Sequence, residues 1–171
     1  GGKVTRYSTA ASAWEFYTPK NGWTVQSNSA REVYRHTGGA WEIFYQDGTF
    51  TPVIYGTTEA GTNTYSDQVG IFTRVGGRVD LLIRCTIDTI DTLMSGAARI
   101  GGLPLSNAST VACNVFAYSL AAGVDHVGAT IQTSATYVGL WKNAPSSGAA
   151  SMQATDMKNG STIRVTSVMF I

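Results

Sequence analysis

The chain has 171 residues, a length that suits one domain or one domain with a small appendage. Only 13% of the residues are charged and the net charge is +1, whereas about 25% are charged in an ordinary soluble domain. No stretch is rich in Lys or Arg, which excludes a nucleic-acid-binding protein that relies on phosphate contacts. The uncharged run at residues 100–124 is broken by glycine, proline and asparagine, so we expect no transmembrane helix and no membrane partner.

Residues 1–47 are predicted to form a small β module, a stem or linker, ahead of a β-sandwich over residues 48–171. The module holds three of the four tryptophans, and its first strands are predicted at residues 14–18 and 23–27. Gly38-Gly39 then predicts a hairpin of residues 31–36 and 40–45, because glycine accepts the positive φ of tight primed turns. A two-residue loop pairs Tyr34 with Ile43, Arg35 with Glu42, and His36 with Trp41 in an aromatic contact.

The second module is predicted to consist of antiparallel strands. Gly76-Gly77 predicts a hairpin of residues 69–75 and 78–88, with Phe72 opposite Leu81. Apolar residues alternate along 78–88, apart from Leu82, as is typical of a half-buried strand. Further strands are predicted at residues 49–55, 111–120, 124–133, 136–142 and 162–171, with one helical turn at 154–158. This pattern predicts an all-β fold, an antiparallel, jelly-roll-like β-sandwich preceded by a small β-hairpin module.

The predicted strand at residues 111–120 is apolar on both faces. Its two faces carry Val111, Cys113, Val115 and Ala117 on one side, and Phe116, Tyr118 and Leu120 on the other. An antiparallel sandwich buries only one face of each sheet. The second face is therefore expected to meet another subunit, a ligand or a covering loop.

Residues suited to catalysis or metal binding are scarce. The chain has two histidines, and Asp125 cannot orient its neighbour His126 if both lie on a regular strand. His36 is accounted for by its contact with Trp41. Cys85 and Cys113 lie on separate predicted strands, which favours free thiols over a zinc site and allows a disulfide only between neighbouring strands. We expect no enzymatic activity, no cofactor and no metal.

Aromatic and neutral polar residues remain as candidates for binding a ligand. Sugar rings pack their C–H faces on Trp and Tyr, while uncharged polar groups bond the hydroxyls. Trp141 lies near the end of a predicted strand, beside a polar loop. At this position it could bind a glycan or be buried in the core. The candidate glycan-binding residues are Trp141, Tyr118, Tyr137, Asp125, His126 and Asn143.

Several segments resemble the C-terminal β-sandwich domains of bacteriophage tail fibres and tailspikes. They are Gly48-Thr-Phe-Thr-Pro-Val-Ile-Tyr-Gly56, Tyr65-Ser-Asp-Gln-Val-Gly-Ile-Phe-Thr-Arg-Val-Gly-Gly-Arg-Val79, Ile100-Gly-Gly-Leu-Pro104 and residues 152–171. Phe50 stands where that family commonly has Trp, and Phe72 where it has Tyr. The resemblance spans residues 48–171 and involves turn and core positions, so it transfers no binding residue. It implies a distal domain of a homotrimeric fibre or spike in the virion that binds bacterial surface polysaccharide or lipopolysaccharide, or stabilises the trimer.

Three functions remain open at this point. The first is a non-enzymatic receptor-binding domain that recognises a bacterial surface glycan and supports a homotrimer. The second is a purely structural trimerisation cap without a ligand of its own. The third is a carbohydrate-binding module of a secreted polysaccharide-degrading enzyme. An independent hydrolase is disfavoured because the chain offers so few acid, base and nucleophile candidates.

Overall fold

Strands dominate the computed structural model, which describes residues 4–27, 30–124, 126–144 and 148–171. The described residues contain fourteen β-strands and one 3₁₀ helix, and all strand pairs with a described register are antiparallel. No helix in this part of the chain is long and apolar enough to cross a membrane. The predicted all-β, antiparallel, sandwich-like fold is confirmed, and the finer jelly-roll description stays a prediction.

The first of two compact units comprises Gly1–Asp47 and Arg74–Gly76. Its strands are β1 (Val4–Ser8), β2 (Ala13–Tyr17), β3 (Thr24–Ser27), β4 (Glu32–Thr37) and the first part of β5 (Ala40–Phe50). β1 and β2 form a separate two-stranded sheet, while β3, β4 and β5 are consecutive neighbours in another.

The predicted β4–β5 hairpin register is confirmed. The pairs are Tyr34 with Ile43, Arg35 with Glu42 and His36 with Trp41. Gly38 and Gly39 both have positive φ, 59° and 94°, as a tight primed turn requires. The ring of His36 meets Trp41 edge-on, with 5.2 Å between the ring centroids.

The second unit comprises Gly48–Thr73 and Gly77–Ile171. Its strands are β6 (Val53–Gly56), β7 (Thr64–Val75), β8 (Arg78–Thr89), β9 (Ala98–Gly101), β10 (Val111–Tyr118), β11 (Val127–Ile131), β12 (Val138–Ala144), β13 (Gly148–Ser151) and β14 (Thr162–Phe170). They are ordered β7-β8-β14-β10-β11-β12-β9-β6, with β13 on β12. β10 joins two parts of this order, since Val111–Cys113 pair with β11 whereas Asn114–Tyr118 pair with β14.

Strand alternation builds the core of the second unit. The inward residues of β8 are Val79, Leu81, Ile83, Cys85 and Ile87, all buried as predicted, whereas Leu82 is exposed. β14 adds Ile163, Val165 and Met169 beside them. Each fully buried side chain of this kind stabilises the fold by about 1.5–3 kcal/mol relative to an exposed one.

Several sequence-based expectations differ from the structure. Leu120 was expected beside Phe116 and Tyr118, but it is half-buried against the core. The strand ends at Tyr118, and Ser119 has a left-handed φ of 58°, which breaks the alternation. The predicted strand at residues 49–55 is interrupted between β5 and β6, and β1, β9 and β13 were not predicted.

The two cysteines are free thiols, which settles the alternative left open by the sequence. β14 lies between β8 and β10, so the strands that carry Cys85 and Cys113 are not neighbours. Burial, followed by the nearby Asp67 charge, raises the pKa of Cys85 to about 12. Burial also raises the pKa of Cys113. Both thiols therefore favour the neutral form.

Candidate glycan-binding site

A cleft of about 70 Å³ lies on β9 and β12. Its lining combines small, aromatic and polar residues: Ala97, Ala98, Arg99, Gln132, Tyr137, Gly139, Leu140, Trp141 and Ser151. Strand alternation explains the composition. Val138 and Leu140 are buried in the core, so Gly139 and Trp141 face outward on β12. Ala98 and Ile100 are likewise buried, and Arg99 between them faces outward on β9.

Trp141 is half-buried on the outward side and lies outside the core cluster. Its indole Nε1–H donates a hydrogen bond to Thr130 Oγ1 at 2.8 Å. Gly139 pairs with Thr130 across the strands. A Cβ added at Gly139 would lie 3.9 Å from the indole nitrogen. That distance is an ordinary van der Waals contact, so the orientation of the indole is fixed by its hydrogen bond to Thr130.

Arg99 and Tyr137 form the other aromatic element of the cleft. The guanidinium carbon of Arg99 lies 4.1 Å from the centroid of the Tyr137 ring, within the range of a cation–π contact. The Tyr137 ring packs partly against the core. Its hydroxyl donates to Gln132 Oε1 at 3.5 Å. Tyr55 of β6 is the cross-strand partner of Arg99 on its other side.

Lys142, which follows Trp141 in the sequence, has its ammonium group in an ion pair outside the cleft. Lys142 Nζ lies 2.6 Å from Asp156 Oδ1 in a largely buried ion pair. The second carboxylate oxygen of Asp156 accepts the backbone N–H of Gln153 at the start of the 3₁₀ helix, Ala154–Asp156. Lys142 therefore joins β12 to the 3₁₀ helix through Asp156. In the described lining of the cleft, Arg99 is the one charged residue.

Of the five predicted site residues that the structure describes, Trp141 and Tyr137 both line the cleft. Tyr118 is elsewhere, opposite Thr162 of β14 and 5.6 Å from the ring of Phe116. Asn143 and His126 are exposed and do not line the cleft, although the Asn143 N–H donates to the His126 carbonyl. Asp125 lies outside the described residues.

Sequence reasoning missed Arg99. The sequence predicts no strand at Ile100-Gly-Gly-Leu-Pro104, although the short strand β9 enters this segment. The signal was present in Ala98–Gly101, where two buried apolar residues flank one arginine. Which strand would lie beside it, and which aromatic ring its guanidinium would cover, could not be deduced from local pattern.

A second feature lies on the outer side of β7, β8, β14 and β10. A groove of about 540 Å³ there is lined by apolar and polar residues: Ile71, Phe72, Thr73, Asp80, Leu81, Leu82, Ala112, Asn114, Thr166, Ser167 and Val168. Beside the groove, Phe116 and Phe170 are 61% and 51% exposed. We call this surface the outer face. The exposure of Phe116 and Tyr118 agrees with the alternation expected for β10, in which both side chains point away from the core.

Metal binding has no support in the described part of the chain, where no three His, Cys, Asp or Glu side chains form a cluster. The Asp91 carboxylate accepts backbone N–H bonds from Leu93 and Thr62. These bonds lower the pKa of its carboxyl group. They assign Asp91 to the local turn.

Comparisons with known proteins give one structural match and no sequence match. No protein-family model matches the chain, and no curated protein matches it. Among solved structures, the crystal structure of the Dettilon tailspike protein (gp208) matches with a TM-score of 0.61 and 18% sequence identity. The chain shares its fold with part of a tailspike protein. The match covers 74% of this chain and 24% of the tailspike chain, so the chain spans about a quarter of that protein's length.

Proposed function

We propose that this chain is a non-enzymatic domain of a phage tail fibre or tailspike, located in the virion, that binds a bacterial surface glycan for host recognition. The observation that carries the proposal is the fold shared with the Dettilon tailspike protein over 74% of the chain. The sequence resemblance to tail-fibre and tailspike domains over residues 48–171 supports it independently. Bacterial polysaccharide or lipopolysaccharide is the proposed partner.

The cleft supports glycan binding by its chemistry. Trp141 provides aromatic surface, Tyr137 carries the Arg99 guanidinium on its ring, and Gln132 and Ser151 provide neutral polar groups in the same lining. This is the combination expected of a site that packs against sugar C–H groups and bonds sugar hydroxyls. The hydrogen bond of Trp141 to Thr130 holds the indole in place before a ligand arrives.

Homotrimer assembly is the second part of the proposal, and the outer face supports it. Phe116, Phe170 and Ile71 are exposed large apolar side chains on this surface. Exposed apolar patches commonly mark protein–protein contacts. Light scattering coupled to gel filtration would measure the assembly, and we expect three times the 18.1 kDa chain mass. A monomer at micromolar concentration would contradict this part.

Binding is tested with an array of bacterial capsular and O-antigen polysaccharides. We expect saturable binding to at least one of them, weakened at least tenfold by Trp141→Ala. Trp14→Ala is the matched control, since Trp14 is 61% exposed and lies in the first unit. Absence of binding to every polysaccharide would contradict the glycan-binding proposal.

A structural trimerisation cap is the alternative that a specific observation favours. The outer-face groove is much larger than the cleft, about 540 Å³ against about 70 Å³. A stable trimer that binds no polysaccharide would support the cap. A monomer that binds polysaccharide would instead support the carbohydrate-binding module of a degrading enzyme.

A further inference from the structure

The charge of the cleft is unbalanced. Arg99 is its one charged lining residue. Among the residues that the structure describes, no carboxylate lies within ion-pair distance of the Arg99 guanidinium, and no side chain accepts its N–H groups. Two other arginines of the second unit do have such partners, since Arg78 pairs with Asp80 at 2.8 Å and Arg84 pairs with Asp67 at 3.2 Å.

Arg99 is also held in a defined position. Its guanidinium covers the Tyr137 ring at 4.1 Å, and its backbone is fixed by strand pairing with both Tyr55 and Gly139. Stacking occupies the flat face of a guanidinium and leaves its N–H edge available for hydrogen bonds. Two N–H groups of that edge match the two oxygens of a carboxylate or phosphate.

The neighbouring groups suit the rest of a sugar residue. Gln132 and Ser151 offer uncharged donors and acceptors. Lys142 does not compete for an anion, because its ammonium group is paired with Asp156. The cleft therefore presents one oriented cation among neutral polar and aromatic groups.

We propose that Arg99 selects an acidic glycan, one whose sugar residues bear a carboxylate or phosphate group. This inference rests on the proposed glycan-binding function and adds the chemical class of the ligand. Carboxylate and phosphate share the anionic oxygens that a guanidinium recognises, and the experiment below separates them.

The test is an array of acidic bacterial polysaccharides, each printed beside its carboxyl-reduced or dephosphorylated form and beside neutral polysaccharides. We expect binding to acidic members of the array. If the anion is a carboxylate, the affinity should fall at least tenfold after carboxyl reduction. If it is a phosphate, the affinity should fall at least tenfold after dephosphorylation. Arg99→Gln should cause a similar loss with only a small decrease in the melting temperature, from the lost cation–π contact with Tyr137. Arg99→Lys, which keeps the charge but not the planar fork, should recover only part of the affinity.

Arg35→Gln is the matched control. Arg35 also covers an aromatic ring, Phe44, at 4.6 Å, but it lies in the first unit. It should leave binding unchanged while altering the net charge equally. Equal binding to neutral and acidic polysaccharides, or an Arg99→Gln variant that folds and binds normally, would overturn the acidic-glycan inference and leave glycan binding standing. Absence of binding to all polysaccharides would overturn both.

Discussion

Lys142 and Asp156 form a short ion pair, with 2.6 Å between Nζ and Oδ1. The two side chains are only 25% and 11% exposed. Apart from Asp125, Lys142 is the one formal charge in residues 100–155. Lys142 is thus used to join β12 to the 3₁₀ turn through Asp156. Arg99 is then the charged residue in the described lining of the cleft.

Breaking this ion pair should destabilise the second unit. Lys142→Met leaves a largely buried carboxylate without its cation, and we expect a loss of about 1–3 kcal/mol in the free energy of unfolding. Urea denaturation measures the change. Lys158→Met, an exposed lysine on the other side of the same turn, should have no measurable effect. Equal midpoints for both variants would contradict the structural role of Lys142.

Asn107 should be a structural residue although it begins a glycosylation pattern. It is 2% exposed. Its amide donates to the carbonyls of Ser109 and Ile131, and its side-chain oxygen accepts the N–H of Phe170 at 3.2 Å. Asn107→Ala leaves these buried groups without partners, and we expect a loss of about 2–4 kcal/mol.

Chemical denaturation again measures the effect of Asn107→Ala, with Asn143→Ala at an exposed position as the control. A midpoint unchanged from the wild type would show that the bonds of Asn107 do not support the fold. The same burial predicts that the side chain of Asn107 is inaccessible to a glycosyl group in the folded protein.

Trp141 should affect ligand binding more than stability. Thr130→Val removes the acceptor of the indole N–H at nearly constant side-chain volume, which costs about 0.5–1.5 kcal/mol when a single hydrogen bond is lost. We expect the melting temperature to fall slightly and glycan affinity to fall severalfold, because the indole loses its fixed orientation. A large loss of stability without change in affinity would assign this contact to the fold alone.

Cys85 should produce an alkaline dependence of stability. Its pKa is raised to about 12 in the folded chain, whereas the pKa of an unfolded thiol is about 8.5. Between these values the unfolded state has released the proton and the folded state has kept it, so stability falls as the pH rises through this window. The slope is at most about 1.4 kcal/mol per pH unit.

The difference between wild type and Cys85→Ala isolates this slope from the titration of other groups. Urea midpoints measured from pH 8 to pH 10 should converge as the pH rises. A constant difference across this range would show that the thiol is not held neutral. Native Cys85 should also resist alkylation by iodoacetamide, because its thiolate is rare and its side chain is buried.

Local chemistry explains how much of the fold was predictable. The β4–β5 register followed from Gly38-Gly39, because two positive φ angles leave only a few turn geometries. The prediction for Leu120 was wrong because Ser119 has a left-handed φ, which breaks the strand alternation. A glycine, the usual sequence signal for such a φ, does not stand there. Alternation along β8 was clear over a long strand, whereas β9 has four residues and too little pattern to recognise.

The candidate site was predictable only in part. Trp141 and Tyr137 lie close together in sequence, on and just before the same strand, so their shared placement could be anticipated. The contact between Arg99 and Tyr137 depends on β9 lying beside β12, a non-local pairing that no local pattern encodes. Tyr118 was separated from them because β10 changes partner from β11 to β14 along its length.

The outer face predicts a specific change in assembly. Phe116→Asp places a charge beside Tyr118 on the exposed side of β10, where it should not disturb the core. If this face joins subunits, burial of the charge is costly, and we expect the trimer to dissociate while the circular dichroism spectrum is retained. Glu59→Lys, at an exposed residue away from the groove lining, is the control. A trimer unaffected by Phe116→Asp would place the subunit contact elsewhere.

Glycan binding at the cleft is the central claim, and mapping by nuclear magnetic resonance tests it most directly. Backbone amide shifts of the assembled protein are followed during titration with fragments of a polysaccharide that binds on the array. We predict that the largest changes fall on β9, β12 and residues 132–137, and that at least tenfold more ligand is needed to produce them in Arg99→Gln. Changes confined to the outer face or to the first unit, with the cleft amides unmoved, would contradict the claim.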